Sequence, residues 1–142
     1  MSVVINEDDF DIAAEHNKLK SASVGALVTF TGTVRDLGGG EAIASMTLEH
    51  YQGMTESEIN KIIDTAKVRW PLDGVTVIHR VGRLLPQENI VFVGCASAHR
   101  QAAFEAAHYI MVTSKQRHHS GKKKIASLVH LGWTRGKQII LR

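Results

Sequence analysis

A single cysteine, Cys95, stands in the chain, so no internal disulfide framework is available and a reducing compartment is the expected setting. Proline is nearly as scarce, with only Pro71 and Pro86, and no Pro-rich linker or repeat divides the sequence. No apolar run approaches the roughly 18 residues that a membrane-crossing helix needs. The acidic stretch at residues 6–11 is unlike the basic, then apolar, start of a secretory leader, so a cytoplasmic location is expected. Aromatic residues make up only 6%, which leaves little to stack on nucleic-acid bases. What remains is an ordinary globular composition, 44% hydrophobic over 142 residues, enough for one domain with a substantial core.

The most telling shortage is of acid in the C-terminal part, where neither Asp nor Glu follows Glu105. The net charge of +3 conceals a sum of −5 over residues 1–111 and +8 over residues 112–142. Such asymmetry often marks a basic tail for nucleic acid or for an acidic partner.

Hydrophobic periodicity outlines the elements. Residues 10–20, behind the acidic Asp8-Asp9 pair, read as a short helix. Residues 24–35 alternate and are rich in Val, Thr and Phe, the pattern of a strand. Three consecutive glycines within 37–41 make a loop or hairpin turn, and 42–51 read as the returning strand. Thr55 to Glu58 has the form of a capping box ahead of Ile59, Ile62, Ile63 and Ala66, and Pro71 closes that helix. Residues 75–81 and 89–96 read as strands joined by a turn at 85–88, and 100–114 as the second long helix. The order α-β-β-α-β-β-α with short links between strands implies an α+β fold with a largely antiparallel sheet.

Several residues on this path could carry chemistry. His99-Arg100 sits where a strand runs into a helix, and a helix N-terminus offers free N–H groups and positive dipole character to an anion. Arg100 adds a bidentate fork to that pocket. Arg35 closes a strand just before the glycine loop, as a clamp beside a flexible lid or as a solvated strand end. Lys115 shares a helix face with Phe104, His108 and Met111, where partial desolvation would lower its pKa and fit it for acid–base work. The bland alternative is a lysine that snorkels at a helix end. Lys122, Lys123 and Lys124 form a run that ordinarily reads as a solvated face. No Cys/His cluster has metal-ligand spacing, so neither a metal nor a resident cofactor is expected. Cys95 lies inside a strand without an activating base and reads as a structural thiol, and Trp70 and Tyr51 read as packing residues.

Four segments together, VTFTGTVRD (28–36), LEHYQGMTE (48–56), RWPLDGVTVIHRVGRL (69–84) and FVGCASAHRQAAFEAAHYIM (92–111), closely resemble the large, catalytic subunits of molybdopterin synthases. The resemblance runs from about Val24 to Met111 and implies an α/β hammerhead arrangement for the family-like core, residues 1–111. It implies conversion of cyclic pyranopterin monophosphate into molybdopterin by installation of a dithiolene, the sulfur coming from a small ubiquitin-like subunit with a C-terminal Gly-Gly thiocarboxylate. One buried cysteine could not supply that sulfur catalytically. By the same resemblance, Thr33, Val34 and Arg35 line the substrate pocket, although the position of Thr33 is often lysine in the family. His99 and Arg100 contact substrate bound to the neighbouring subunit of a homodimer, itself flanked by two small subunits in a heterotetramer. Lys115 and Lys122 fall on the two active-site lysines, with Met111, Lys123 and Lys124 in the matching segments.

After Met111 the likeness stops. The family leads one to expect roughly DYLKTRAPFWKKE and then a WVDARE-like strand, where this chain has VTSKQRHHSGKKK and later GWTRGK. If the last base of each codon is read with the first two of the next, residues 112–124 can spell Tyr-Leu-Lys-Thr, then Pro, Phe-Trp and Lys at the family's spacing. GWTRGK with the preceding leucine can spell WVDARE. One lost base near codon 112 explains this, leaving residues 112–142 an atypical basic tail of the same domain and accounting for the +8. A catalytically impaired dimeric scaffold, or a basic-tailed nonspecific nucleic-acid binder, is the alternative reading; the tail holds no recognised nucleic-acid motif.

Overall fold

In a computed structural model, the structure describes residues 2–35, 46–48, 54–120 and 139–141. The elements in chain order are β1 (Ser2–Asn6), α1 (Ile12–Lys18), β2 (Ala26–Thr33), β3 (Met46–Leu48), α2 (Met54–Arg69), β4 (Gly74–Arg80), β5 (Gly82–Leu84), β6 (Asn89–Ser97), α3 (Arg100–Ser120) and β7 (Ile139–Leu141). The chain is an α+β fold with two sheets, ordered β1-β4-β6-β2 and β5-β3-β7. None of the helices among the described residues is long and apolar enough to cross a membrane.

β6 is the axis of the larger sheet, antiparallel to β4 on one side and to β2 on the other. All but its first residue are buried, which explains its nearly unbroken apolar sequence. Val91, Val93 and Cys95 face a core built with Ile59, Ile62 and Ile63 of α2 and Ala106, Ala107 and Ile110 of α3. The alternate face belongs to the α1 segment. There Phe92 meets Phe10 edge to face at 5.8 Å, and Gly94 leaves the space that Leu19 fills. α1 itself starts at Asp11, whose carboxylate accepts the Ala14 N–H at 3.0 Å, a standard N-cap.

The structure departs from the sequence reading in several places, one of them β5, a strand at Gly82–Leu84 that the reading left unassigned. β1, not anticipated, pairs parallel with β4 and adds an edge to the large sheet. Residues 24–35 and 42–51 do not form one hairpin: β2 lies in the large sheet, and β3 pairs instead with β5 and β7. The remainder of the expected returning strand lies outside the described residues. α2 begins at Met54, so Thr55 falls within its first turn rather than at the cap. The helix expected at 100–114 continues to Ser120, and the tail contributes β7, parallel to β3. The physical reason is local: Ile139-Ile140-Leu141 is a β-favouring triplet, and β3 offers it a free edge.

Candidate active site

The β6–α3 junction forms as the sequence implied. β6 ends at Ser97, α3 begins at Arg100, and His99 occupies the cap position, its carbonyl accepting the Ala103 N–H at 3.4 Å. His99 and Arg100 are both exposed, and among the described residues neither side chain has a hydrogen-bond or ion-pair partner. The free N–H groups of the first helical turn lie beside a guanidinium open to solvent, which suits a phosphate or carboxylate.

Thr33 and Arg35 are exposed at the far end of β2, whereas Val34 is buried in the core. Val34 is strapped to the turn before β6: its N–H donates to the Glu88 carbonyl at 2.9 Å, and its carbonyl accepts the Gln87 N–H at 2.8 Å. Gln87 adopts a φ of 76°, an unusual conformation for a residue with a side chain, in the turn that fixes the base of Arg35. Val34 therefore contributes backbone anchorage rather than an open side chain.

Between these ends runs an apolar groove of about 480 Å³, lined by Val28 and Phe30 of β2 and by Phe104, His108, Met111 and Val112 of α3. Phe104 is 61% exposed and Phe30 40%, so among the described residues this surface is left uncovered. The expected helix face of Phe104, His108 and Met111 is thus one wall of a real depression, and Lys115 lies one turn beyond it on α3. Lys122, Lys123 and Lys124 fall outside the described residues, as does Tyr51.

Strand register sets the distances. Ala26 lies opposite Ser97 and Thr33 opposite Asn89, so the His99-Arg100 turn and the Arg35 end are separated by the length of β2, about 23 Å. α3 runs back along β2, and from Arg100 to Lys115 it rises about 22 Å, bringing Lys115 level with the Arg35 end. One chain therefore brings Arg35, Met111 and Lys115 to one region and holds His99-Arg100 at the other.

The sequence missed Phe30 and Ser97. Nothing local to Phe30 reveals that β2 is the edge of the large sheet among the described residues. Ser97 is fully buried, its hydroxyl donating to the Pro71 carbonyl at 2.7 Å and accepting the His99 N–H at 3.4 Å. A lone hydroxyl in an Ala-rich run beside a basic pair was the available signal. Trp70 is a packing residue: its ring lies 5.4 Å from Tyr109, Arg69 covers both rings, and its indole N–H donates to Glu105 at 2.8 Å. Hydrogen bonds from Gln101 and Trp70, with Arg69 nearby, hold the Glu105 carboxyl below the usual range. Cys95 is buried, and desolvation pushes its thiol up to about 12, the state of a structural cysteine.

The sequence pattern of the MoaE protein family matches residues 5–117. A molybdopterin synthase catalytic subunit of Mesorhizobium japonicum is 52% identical over 87% of this chain and 77% of its own length. Another from Pseudomonas aeruginosa is 47% identical over 87% and 84%. Among solved structures, the molybdopterin biosynthesis MoaE protein from Burkholderia ambifaria superposes with a TM-score of 0.74 at 45% identity, over 80% of this chain and 76% of that one. The chain belongs to the MoaE family, the catalytic subunits of molybdopterin synthase.

Proposed function

We propose that this chain acts in molybdenum cofactor biosynthesis by transferring sulfur to cyclic pyranopterin monophosphate, in the cytoplasm and as a homodimer. The sulfur arrives on the C-terminal Gly-Gly thiocarboxylate of a small ubiquitin-like partner, two of which flank the dimer. Arg35 from one subunit and His99-Arg100 from the other hold the phosphate and pterin. Thr33, Val34, Met111, Lys123 and Lys124 complete the pocket, and Lys115 and Lys122 move protons during sulfur addition and ring opening.

The separation of about 23 Å between the two anion-binding ends of one chain carries this reading. A small pterin phosphate cannot bridge that distance, so a pocket using both ends must draw them from two chains. The exposed guanidinium of Arg100 and the groove around Phe30 and Phe104 support it as well, since the described residues of the subunit leave both surfaces uncovered. The tail reading extends the same proposal. One base lost near codon 112 leaves Lys115 and Lys122 in place but removes the Pro-Phe-Trp expected between them.

The direct test is precursor affinity. Arg35→Ala or Arg100→Ala removes a charge-assisted contact to phosphate and is expected to cost about 1.5–3 kcal/mol of binding without unfolding the domain. Calorimetric titration with cyclic pyranopterin monophosphate reads the effect, and parental affinity in both variants would refute the assignment.

A further inference from the structure

We propose that Ser97 is a positioning residue for the His99-Arg100 pair, its buried hydroxyl fixing the turn that aims both side chains at the pocket. The proposal rests on the reading of that pair as precursor ligands. Its geometric basis is the way three distant connections converge on residues 96–99. The Gly25 N–H donates to the Ser97 carbonyl at 3.0 Å, from the link between α1 and β2. The Asp73 N–H donates to the Ala96 carbonyl at 2.8 Å, from the link between α2 and β4. The Ser97 hydroxyl donates to the Pro71 carbonyl at 2.7 Å in that second link and accepts the His99 N–H at 3.4 Å.

Ser97 is the member of this set whose contacts are made by a side chain. A serine hydroxyl offers one donor and two acceptor positions, and here the donor faces the scaffold while an acceptor faces the functional turn. With Ser97 fully buried, bulk water cannot replace the hydroxyl, and its removal takes a partner from both the Pro71 carbonyl and the His99 N–H. His99 and Arg100 are exposed, and their side chains have no partners among the described residues, so their direction depends on the backbone of this turn. A turn that reached the other subunit's pocket but was free to rock would cost affinity, since productive geometry tolerates little displacement.

The test compares Ser97→Ala and Ser97→Cys with the parent dimer and with Arg100→Ala. Cysteine fills the serine volume but is a weak donor, so it separates the hydroxyl from the cavity that alanine leaves. In both serine variants, hydrogen exchange at the His99 amide is expected to quicken while the β4 and β6 amides keep their protection. Affinity for cyclic pyranopterin monophosphate should fall by about fivefold, the worth of one neutral hydrogen bond. Combined with Arg100→Ala, either serine variant should cost less than it does alone, because Ser97 then acts only through His99. A merely structural role would instead give losses that add, and additive losses would overturn the proposal. Unchanged affinity in Ser97→Cys alongside a weakened Arg100→Ala would overturn it alone. Parental affinity in Arg100→Ala would remove the reading of the pair, and the positioning role with it.

Discussion

At the scale of single residues, burial decides whether a reactive group is used or silenced. Cys95 has the chemistry of a nucleophile, yet it sits inside β6 with its thiol pushed up to about 12 by desolvation. It is therefore neutral where the pocket residues work. Because the folded value lies above the ordinary thiol value of 9.0, its contribution to stability is complete below about pH 9. As pH rises from about 9 toward 12 the unfolded chain ionises first, and that contribution is lost. Native protein at pH 8 is expected to resist alkylation by iodoacetamide, to react once denatured, and to show a falling urea midpoint above pH 9. Rapid labelling of the folded chain at pH 8 would contradict the structural role. Arg100 is the opposite case, a charged group left open to solvent on a turn whose backbone is held on several sides.

Elements are where the sequence and the structure part company, and Gly25 shows the reason. A Cβ at this position would lie 2.3 Å from the Ala98 carbonyl oxygen, so the link into β2 must pass directly beneath the turn carrying His99. Gly25→Ala should destabilise the domain by about 1–3 kcal/mol, as overpacking does, and should quicken exchange at the His99 amide. A urea midpoint equal to the parent's would show that the backbone at residue 98 yields without cost. Nothing in the sequence near Gly25 announces this contact, because Ala98 is brought to it by strand pairing. The same distinction explains the rest. β2, β4, β6, α2 and α3 were legible because each carries its own period or apolar run. β1 was missed because five residues at the chain's start gain strand character only from β4, more than 70 positions on. β3 was recognised as a strand but misassigned, since its three residues do not encode which sheet they join. In the candidate site, the His99-Arg100 turn was readable as a local strand-to-helix junction. The groove was readable only on its α3 side, and its other wall required knowing that β2 is an edge among the described strands.

At the scale of the whole molecule, the register of β2 against β6 decides the assembly. It places Arg35 and Lys115 at one end and His99-Arg100 at the other, so the pocket proposed above, which uses both ends, calls for a second copy. On the proposed reading, the tail governs whether that pocket turns over. If residues 112–142 are out of frame, the alternative frame can spell Phe-Trp between the lysines and an aspartate and a glutamate further on, which would lower the +8. Supplied with thiocarboxylated partner, the reframed chain should exceed the present one by about 100-fold or more, the scale on which misplaced catalytic groups lose rate. Equal rates in the two chains would remove the frame inference. The reframed chain then permits a stricter test of the shared pocket. An Arg100→Ala homodimer lacks the guanidinium at both pockets, and a Lys115→Ala homodimer lacks the ammonium at both. In a mixed dimer, one pocket combines the intact Lys115 of the first chain with the intact Arg100 of the second, while the other lacks both groups. Mixing two nearly inactive variants should therefore restore activity, up to roughly a quarter of the parent's when the chains exchange at random, since half the dimers are mixed and each keeps one complete pocket. A pocket built within one chain would give no recovery on mixing, because every pocket would still lack one of the two groups.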